Sequence, residues 1–145
     1  MSNEKKLPTL QRVYVKDISF EAPNVLKTLS KEWKPEMHLD LHTQVSRLEE
    51  NVFEVVLTLT VSVKSMQEAA YLCEIQQAGI FTINEEDEQK TKKTLGCVCP
   101  EILFPFAREA VSNLVARGGF PQMLLTPVDF ELLYTKALAE QGRPH

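Results

Sequence analysis

At 145 residues, 43% apolar and 25% charged, the chain has the size and composition of one globular domain. Its 16 Lys+Arg against 20 Asp+Glu give a formal net charge of −4, which argues against nucleic-acid binding, whose affinity rests on a basic surface neutralising phosphates. The apolar runs are far shorter than the ~20 residues a spanning helix needs. Met1-Ser2-Asn3-Glu4-Lys5-Lys6 has no apolar stretch behind its lysines, so no secretory signal is expected. Membrane-spanning, collagen-like and disordered classes are excluded.

From the N-terminus, residues 1–8 and 141–145 read as frayed, flexible ends of one domain. Residues 10–21 read as a strand with Leu10, Tyr14, Ile18 and Phe20 on one parity. Val13 and Val15 take the other, followed by Asp17, Ser19 and Glu21, so that face turns from apolar to acidic along its length. A long connection from Pro23 to Pro35 carries the only tryptophan, Trp33, with room for a short helical turn. Residues 37–45 alternate Met37, Leu39, Leu41, Thr43 and Val45 against His38, Asp40, His42 and Gln44. The clearest strand is 52–64, with Phe53, Val55, Leu57, Leu59, Val61 and Val63 on one side. A fourth β-prone stretch covers 70–84, with Gly79 a candidate bulge. Short connections at 48–51 and 65–68 suit hairpins, which predicts a largely antiparallel four-stranded sheet.

The charged segment 84–93 reads as a solvated loop or hairpin tip. The period then changes. Phe106, Ala107, Ala110, Val111, Leu114 and Val115 form a helical stripe, with Pro105 in the first turn and Gly118-Gly119 at the end. Thr126-Pro127 signals the start of a second helix, whose face is Phe130, Leu133, Tyr134, Ala137 and Leu138 and which Gly142 closes. Strands first and two helices after define an α+β domain.

Catalytic templates are missing: there is no phosphate-cradling Gly-x-x-x-x-Gly-Lys-Ser/Thr, no dinucleotide fingerprint, no nucleophile elbow and no zinc-protease helix. His38, Asp40 and His42 line one strand face, but no fourth ligand is fixed by the pattern, and a solvated face opposite Met37, Leu39 and Leu41 explains them. Cys73, Cys97 and Cys99 are an odd set without paired zinc spacing, which suits buried free thiols in a reducing compartment. No cofactor or metal is expected. Apolar residues in loop-like places are more telling: Trp33, Phe104, Phe106, Phe120 and the run Met123-Leu124-Leu125 are many for loops that must stay soluble, and large exposed apolar patches mark interaction surfaces.

Several segments together resemble the SecB export-chaperone family. They are Gln-Arg-Val-Tyr-Val-Lys-Asp-Ile-Ser-Phe-Glu-Ala-Pro-Asn at 11–24, Phe-Glu-Val-Val-Leu at 53–57 and Leu-Cys-Glu-Ile-Gln-Gln-Ala-Gly-Ile-Phe at 72–81. Cys-Pro-Glu-Ile-Leu-Phe-Pro-Phe-Ala-Arg-Glu at 99–109, Gly-Gly-Phe-Pro-Gln at 118–122 and Pro-Val-Asp-Phe at 127–130 complete the series, in family order. The resemblance implies a bacterial cytoplasmic holdase without ATPase activity. Such a protein binds non-native precursor proteins, hands them to the SecA motor and assembles as a homotetramer, a dimer of dimers. The implied fold is a four-stranded antiparallel sheet with two helices.

A holdase needs a long apolar groove with adaptable walls, and the placement of Trp33, Phe104, Phe120, Leu124, Phe130 and Tyr134 assigns them to it or to its border. By resemblance, Asp17, Glu21, Leu72 and Glu74 dock the basic, zinc-carrying C-terminal tail of SecA. Also by resemblance, Cys73, Ile75 and Gln77 serve subunit association. The family tail is often longer and acidic, whereas this chain ends Gln-Gly-Arg-Pro-His, which leaves a tail contribution to motor binding open. The alternative is a small α+β enzyme or hydrophobic-ligand binder using the same cavity, with Cys97 and Cys99 or the His38 face supplying chemistry. That alternative needs a polar group converging on the cavity with a partner to activate it, and the sequence displays none.

Overall fold

The alternation from residue 52 onward builds the centre of the sheet. In strand β3, Val52–Ser65, the side chains of Phe53, Val55, Leu57, Leu59, Val61 and Val63 are all buried on one face. At roughly 1.5–3 kcal/mol per large apolar side chain removed from water, that row decides which way the sheet faces, because a one-residue slip would expose all six. Strand β4, Glu68–Thr82, lies beside it and buries Cys73, Ile75 and Phe81 on the same face. Strand β1, Thr9–Glu21, pairs with β4, and strand β2, Pro35–Glu49, pairs with β3. The order is β1-β4-β3-β2 and every pairing is antiparallel. This computed structural model describes residues 7–141, of which Gln141 by its backbone alone. The chain ends expected to be flexible therefore fall largely outside the described residues.

Because β1 and β2 occupy opposite edges, the connection 22–34 must cross the sheet. It carries helix α1, Val25–Leu29, and then Trp33. The β3–β4 hairpin closes on Met66-Gln67, both left-handed at φ 51° and 68°.

Helix α2, Glu88–Lys93, a π-helical turn at Thr94–Val98, and helix α3, Cys99–Arg117, follow one another without a break. Helix α3 lies across β4 and β3 and buries Leu103, Ala107, Val111 and Val115, a stripe at spacing four. Gly118 caps it and Gly119 turns the chain away at φ 87°. Helix α4, Phe130–Gln141, packs on the π-helical turn. No described helix is long and apolar enough to cross a membrane.

Four local expectations are overturned. First, β1 does not keep one parity. Register shifts between Leu10 and Arg12 and between Val15 and Asp17 set Leu10, Val13, Val15, Ile18 and Phe20 on the helix side, with Arg12, Tyr14, Asp17, Ser19 and Glu21 on the other. Second, Gly79 is no bulge: it pairs in regular register with Val13 and Val55. A Cβ there would stand 2.9 Å from Leu103 Cδ2, so the glycine answers the approach of α3. Third, helix begins at Glu88 rather than near Pro105, which sits inside α3 with its ring exposed. The charged segment 88–93 has no apolar stripe to betray it, and Asp87 starts it by accepting from the Gln89 N–H at 2.9 Å. Fourth, α4 is capped by Asp129, whose Oδ1 accepts from the Leu132 N–H at 3.0 Å, and not by Thr126. Gly142, expected to close α4, lies outside the described residues.

Candidate functional site

The sheet offers two contrasting faces. On the face away from the helices, the bulge at Lys16 returns Asp17, Ser19 and Glu21 to one side, where they stand opposite Gln76, Glu74 and Leu72 of β4. The same rows continue through Thr58, Thr60 and Ser62 of β3 to His42, Asp40 and His38 of β2. The four side chains Asp17, Glu21, Leu72 and Glu74 are thus brought together on one flat surface, with Leu72 exposed among the carboxylates. Thr60 Oγ1 donates to Glu74 Oε1 at 3.0 Å and steadies it. Among the described residues no cation lies within ion-pair distance of Asp17, Glu21 or Glu74, so their negative charge is uncompensated. His38 Nε2 and Asp40 Oδ1 approach to 3.4 Å, both exposed on the edge strand. No group of three or more His, Cys, Asp or Glu arranged to hold a metal occurs among the described residues.

The helix-side face is apolar and only partly covered. At the start of β2 a ring cluster forms: Trp33 lies 5.7 Å from Phe120, Phe120 lies 5.0 Å from Tyr71, and Tyr71 stacks on Phe20 at 5.5 Å. At the other end of β2, a groove of about 680 Å³ opens between that strand and α4, lined by Leu41, Val45, Gly96, Phe130, Leu133 and Tyr134. Tyr134 rests against Gly96, where a Cβ would stand 2.8 Å from its ring. Along the helix-facing side of β2, Met37 and Val45 are exposed and Leu39 and Leu41 half-buried. The run 35–45 extends about 33 Å at ~3.3 Å per residue. The backbone edge of β2 is free along it, since no described strand flanks that side.

The six residues assigned to the groove therefore divide. Phe130 and Tyr134 line it; Trp33 stands half-buried at the far end. Phe120 is buried as the hub of the ring cluster, and Phe104 is buried behind Phe130 at 5.7 Å, so both support the walls from within. Leu124, 81% exposed, stands on the loop before α4. Leu41, Val45 and Leu133 were placed on apolar faces by the sequence but, like Gly96, were not assigned to the groove. The alternation at 37–45 identified the apolar side of β2, but nothing local says that this side is left half-covered.

Cys73, Ile75 and Gln77 are buried on the helix side of β4, and Gln77 Nε2 donates to the Tyr14 carbonyl at 3.1 Å. Their neighbours on β1 are the outermost apolar side chains of that face: Ile18 opposite Ile75 and Val15 opposite Gln77, each 46% exposed. All three thiols are buried. Burial pushes Cys99 up to about 12 and Cys73 to about 11, and burial with nearby carboxylates raises Cys97. None is an available thiolate near neutral pH.

The four-stranded sheet thus presents one face of carboxylates, hydroxyls and histidines and one partly covered apolar face beside an unpaired edge strand. The family model described as preprotein translocase subunit SecB matches residues 2–141, and the chain belongs to the SecB family. A SecB-like chaperone of Mycobacterium tuberculosis, solved in complex with a ChAD peptide from an antitoxin, superposes with TM-score 0.72 at 14% identity, over 84% of this chain and 91% of that one. A Streptococcus agalactiae protein of unknown function matches with TM-score 0.43 at 15% identity, over 82% and 96% of the two chains. Membership of the SecB family supports a chaperone role in protein transport, and the structural likeness shows the shared fold.

Proposed function

We propose that this chain is an ATP-independent holdase that keeps non-native precursor proteins competent for export and delivers them to the SecA motor. The observation that carries the reading is the apolar trough running from Trp33 along the free edge of β2 to the Phe130–Tyr134 groove. An extended client can add main-chain hydrogen bonds along such an edge while its alternate side chains enter the apolar side. The chain's net negative charge attracts basic unfolded segments at long range, an effect that salt weakens.

In this reading the acidic face of Asp17, Glu21, Leu72 and Glu74 docks the basic, zinc-carrying tail of SecA. The protein works in the bacterial cytoplasm as a homotetramer, a dimer of dimers. Exposed Val15 and Ile18, backed by buried Ile75 and Gln77, support an association surface at the β1 edge. Cys73, Ile75 and Gln77 then act from beneath by fixing the strand that carries it. The reading as an enzyme has less support, because burial raises all three thiols and the nearby carboxylates raise Cys97 further against the opposing pull of Lys93.

The test combines native mass with suppression of aggregation of an unfolded protein in the absence of nucleotide. A tetramer that suppresses aggregation, and loses that capacity when the exposed Val45 and Leu133 become serine, supports the proposal. A monomer that leaves aggregation unchanged overturns it.

A further inference from the structure

The bulge in β1 sets two neighbours in the chain on one face. In a regular strand Lys16 and Asp17 would point to opposite sides of the sheet. Here the register steps from Val15 opposite Gln77 to Asp17 opposite Gln76 and leaves Lys16 without a ladder partner. The Lys16 ammonium lies 3.2 Å from Glu54 Oε1, on the face away from the helices, and Asp17 belongs to that same face. Consecutive Cα atoms stand ~3.8 Å apart, a span that the four-carbon stem of a lysine exceeds. Lys16 is therefore within reach of the Asp17 carboxylate, yet among the described residues it pairs with Glu54 alone.

A carboxylate fixed at both oxygens holds it there. Glu54 Oε2 accepts from the Tyr14 hydroxyl at 2.5 Å and Oε1 accepts from Lys16. Glu54 is rooted opposite Ile80 of β4, four residues along that strand from Gln76, the partner of Asp17. That offset is roughly 13 Å at ~3.3 Å per residue, so the pairing draws positive charge away from the acidic face. The two side chains are 43% and 18% exposed, and pairs of this kind add little to stability. Their consequence lies in where the lysine charge sits.

Resting on the reading of the acidic face as a dock, we infer that Glu54 is a positioning residue for it: by holding Lys16 off Asp17, it keeps that carboxylate open to a basic, zinc-carrying polypeptide. Glu54 acts through Lys16 and makes no contact with the partner. Without its charge, Lys16 turns onto Asp17, and one of the carboxylates of the face is occupied before the partner arrives. A lysine tethered next door competes at high effective concentration.

Glu54→Gln tests this, because its amide oxygen still accepts from Tyr14 while the charge that holds Lys16 is gone. Titration calorimetry with a zinc-loaded basic zinc-finger peptide at low salt should show binding weakened about two- to fivefold, the range of one exposed ion pair. The difference should shrink as salt is raised. In a Lys16→Gln background the same change should lose most of its effect, since no lysine remains to turn. A crystal structure of Glu54→Gln should show Lys16 Nζ within ion-pair distance of Asp17. Suppression of client aggregation should be unchanged in every variant, because both residues face away from the apolar side. If Glu54→Gln binds the peptide as the wild type does, or Lys16 stays beside residue 54 in the crystal, the inference is overturned and the dock stands. Equal weakening in both backgrounds also overturns it, since Glu54 would then act by its own charge or through the bulge. If the wild type does not bind the peptide at all, it is the dock reading that fails, and the inference falls with it.

Discussion

The phenol of Tyr14 donates to Glu54 Oε2 at 2.5 Å, reaching from edge strand β1 across β4 to β3. Beneath it in the same row lie Ala78 and Val56, both buried on the otherwise solvated side of the sheet. Lys16, the bulged residue, joins the same carboxylate at 3.2 Å. The bulge that aligns the acidic face is thus pinned by the bulged residue itself and by Tyr14 two positions before it.

This pair has a pH signature. The Tyr14 hydrogen bond, helped by Lys16, holds Glu54 below its ordinary value, while burial and then the Glu54 bond push Tyr14 up to about 12. A depressed carboxyl contributes stability above its unfolded pKa of 4.5 that is lost as pH falls through the folded value. A raised phenol contributes stability below 10 that is lost as pH climbs toward about 12. Tyr14→Phe should cost about 1 kcal/mol at pH 7 and flatten the acid limb of a urea-midpoint profile. Parallel profiles for the two proteins would show the bond to be idle.

Charge reversal at the proposed dock separates its two tasks. Asp17→Lys or Glu74→Lys should reduce binding of a basic zinc-finger peptide at least tenfold in low salt, while suppression of client aggregation stays unchanged. Titration calorimetry and a light-scattering assay on the same samples read both, and equal loss of both activities would count against a separate surface.

Gly79→Ala places a methyl 2.9 Å from Leu103 Cδ2, 3.0 Å from the Phe81 ring and 3.1 Å from Leu10 Cδ1. Overpacking of this kind costs about 1–3 kcal/mol. Chemical denaturation should show that loss with the β content retained; an unchanged midpoint would mean that α3 shifts freely.

The β3–β4 turn is built from the wrong residues for its shape. Met66 and Gln67 both hold positive φ, which costs roughly 1 kcal/mol per non-glycine residue. Replacing them with Asn-Gly, the pair such a two-residue turn favours, should raise stability by about 1 kcal/mol or more, visible as a higher melting temperature.

Strand positions were readable because a half-buried strand writes its burial as alternation, and the runs around Leu57 and Leu39 do so cleanly. Tyr14 defeated the same logic, since a bulge leaves no mark in composition: Val13, Tyr14 and Val15 are β-prone whichever side each one takes. The helical start at Glu88 was illegible for a related reason, as a helix exposed all round has no stripe. In the groove, the aromatic residues were identifiable by type, but type does not separate Phe104, which packs behind the wall, from Tyr134, which forms it.

Alternation, turn chemistry and the succession of short family segments were enough to determine an α+β domain of the SecB family, and the resemblance singled out Asp17, Glu21, Leu72 and Glu74 as an expected dock. All of these rest on contacts between residues near in the chain or on identity alone. What only the tertiary structure decided is where coverage stops. The crossing of the sheet by 22–34 and the half-covered apolar side of β2 depend on strand order and on how far the helices reach, which are properties of distant segments meeting and leave no local imprint.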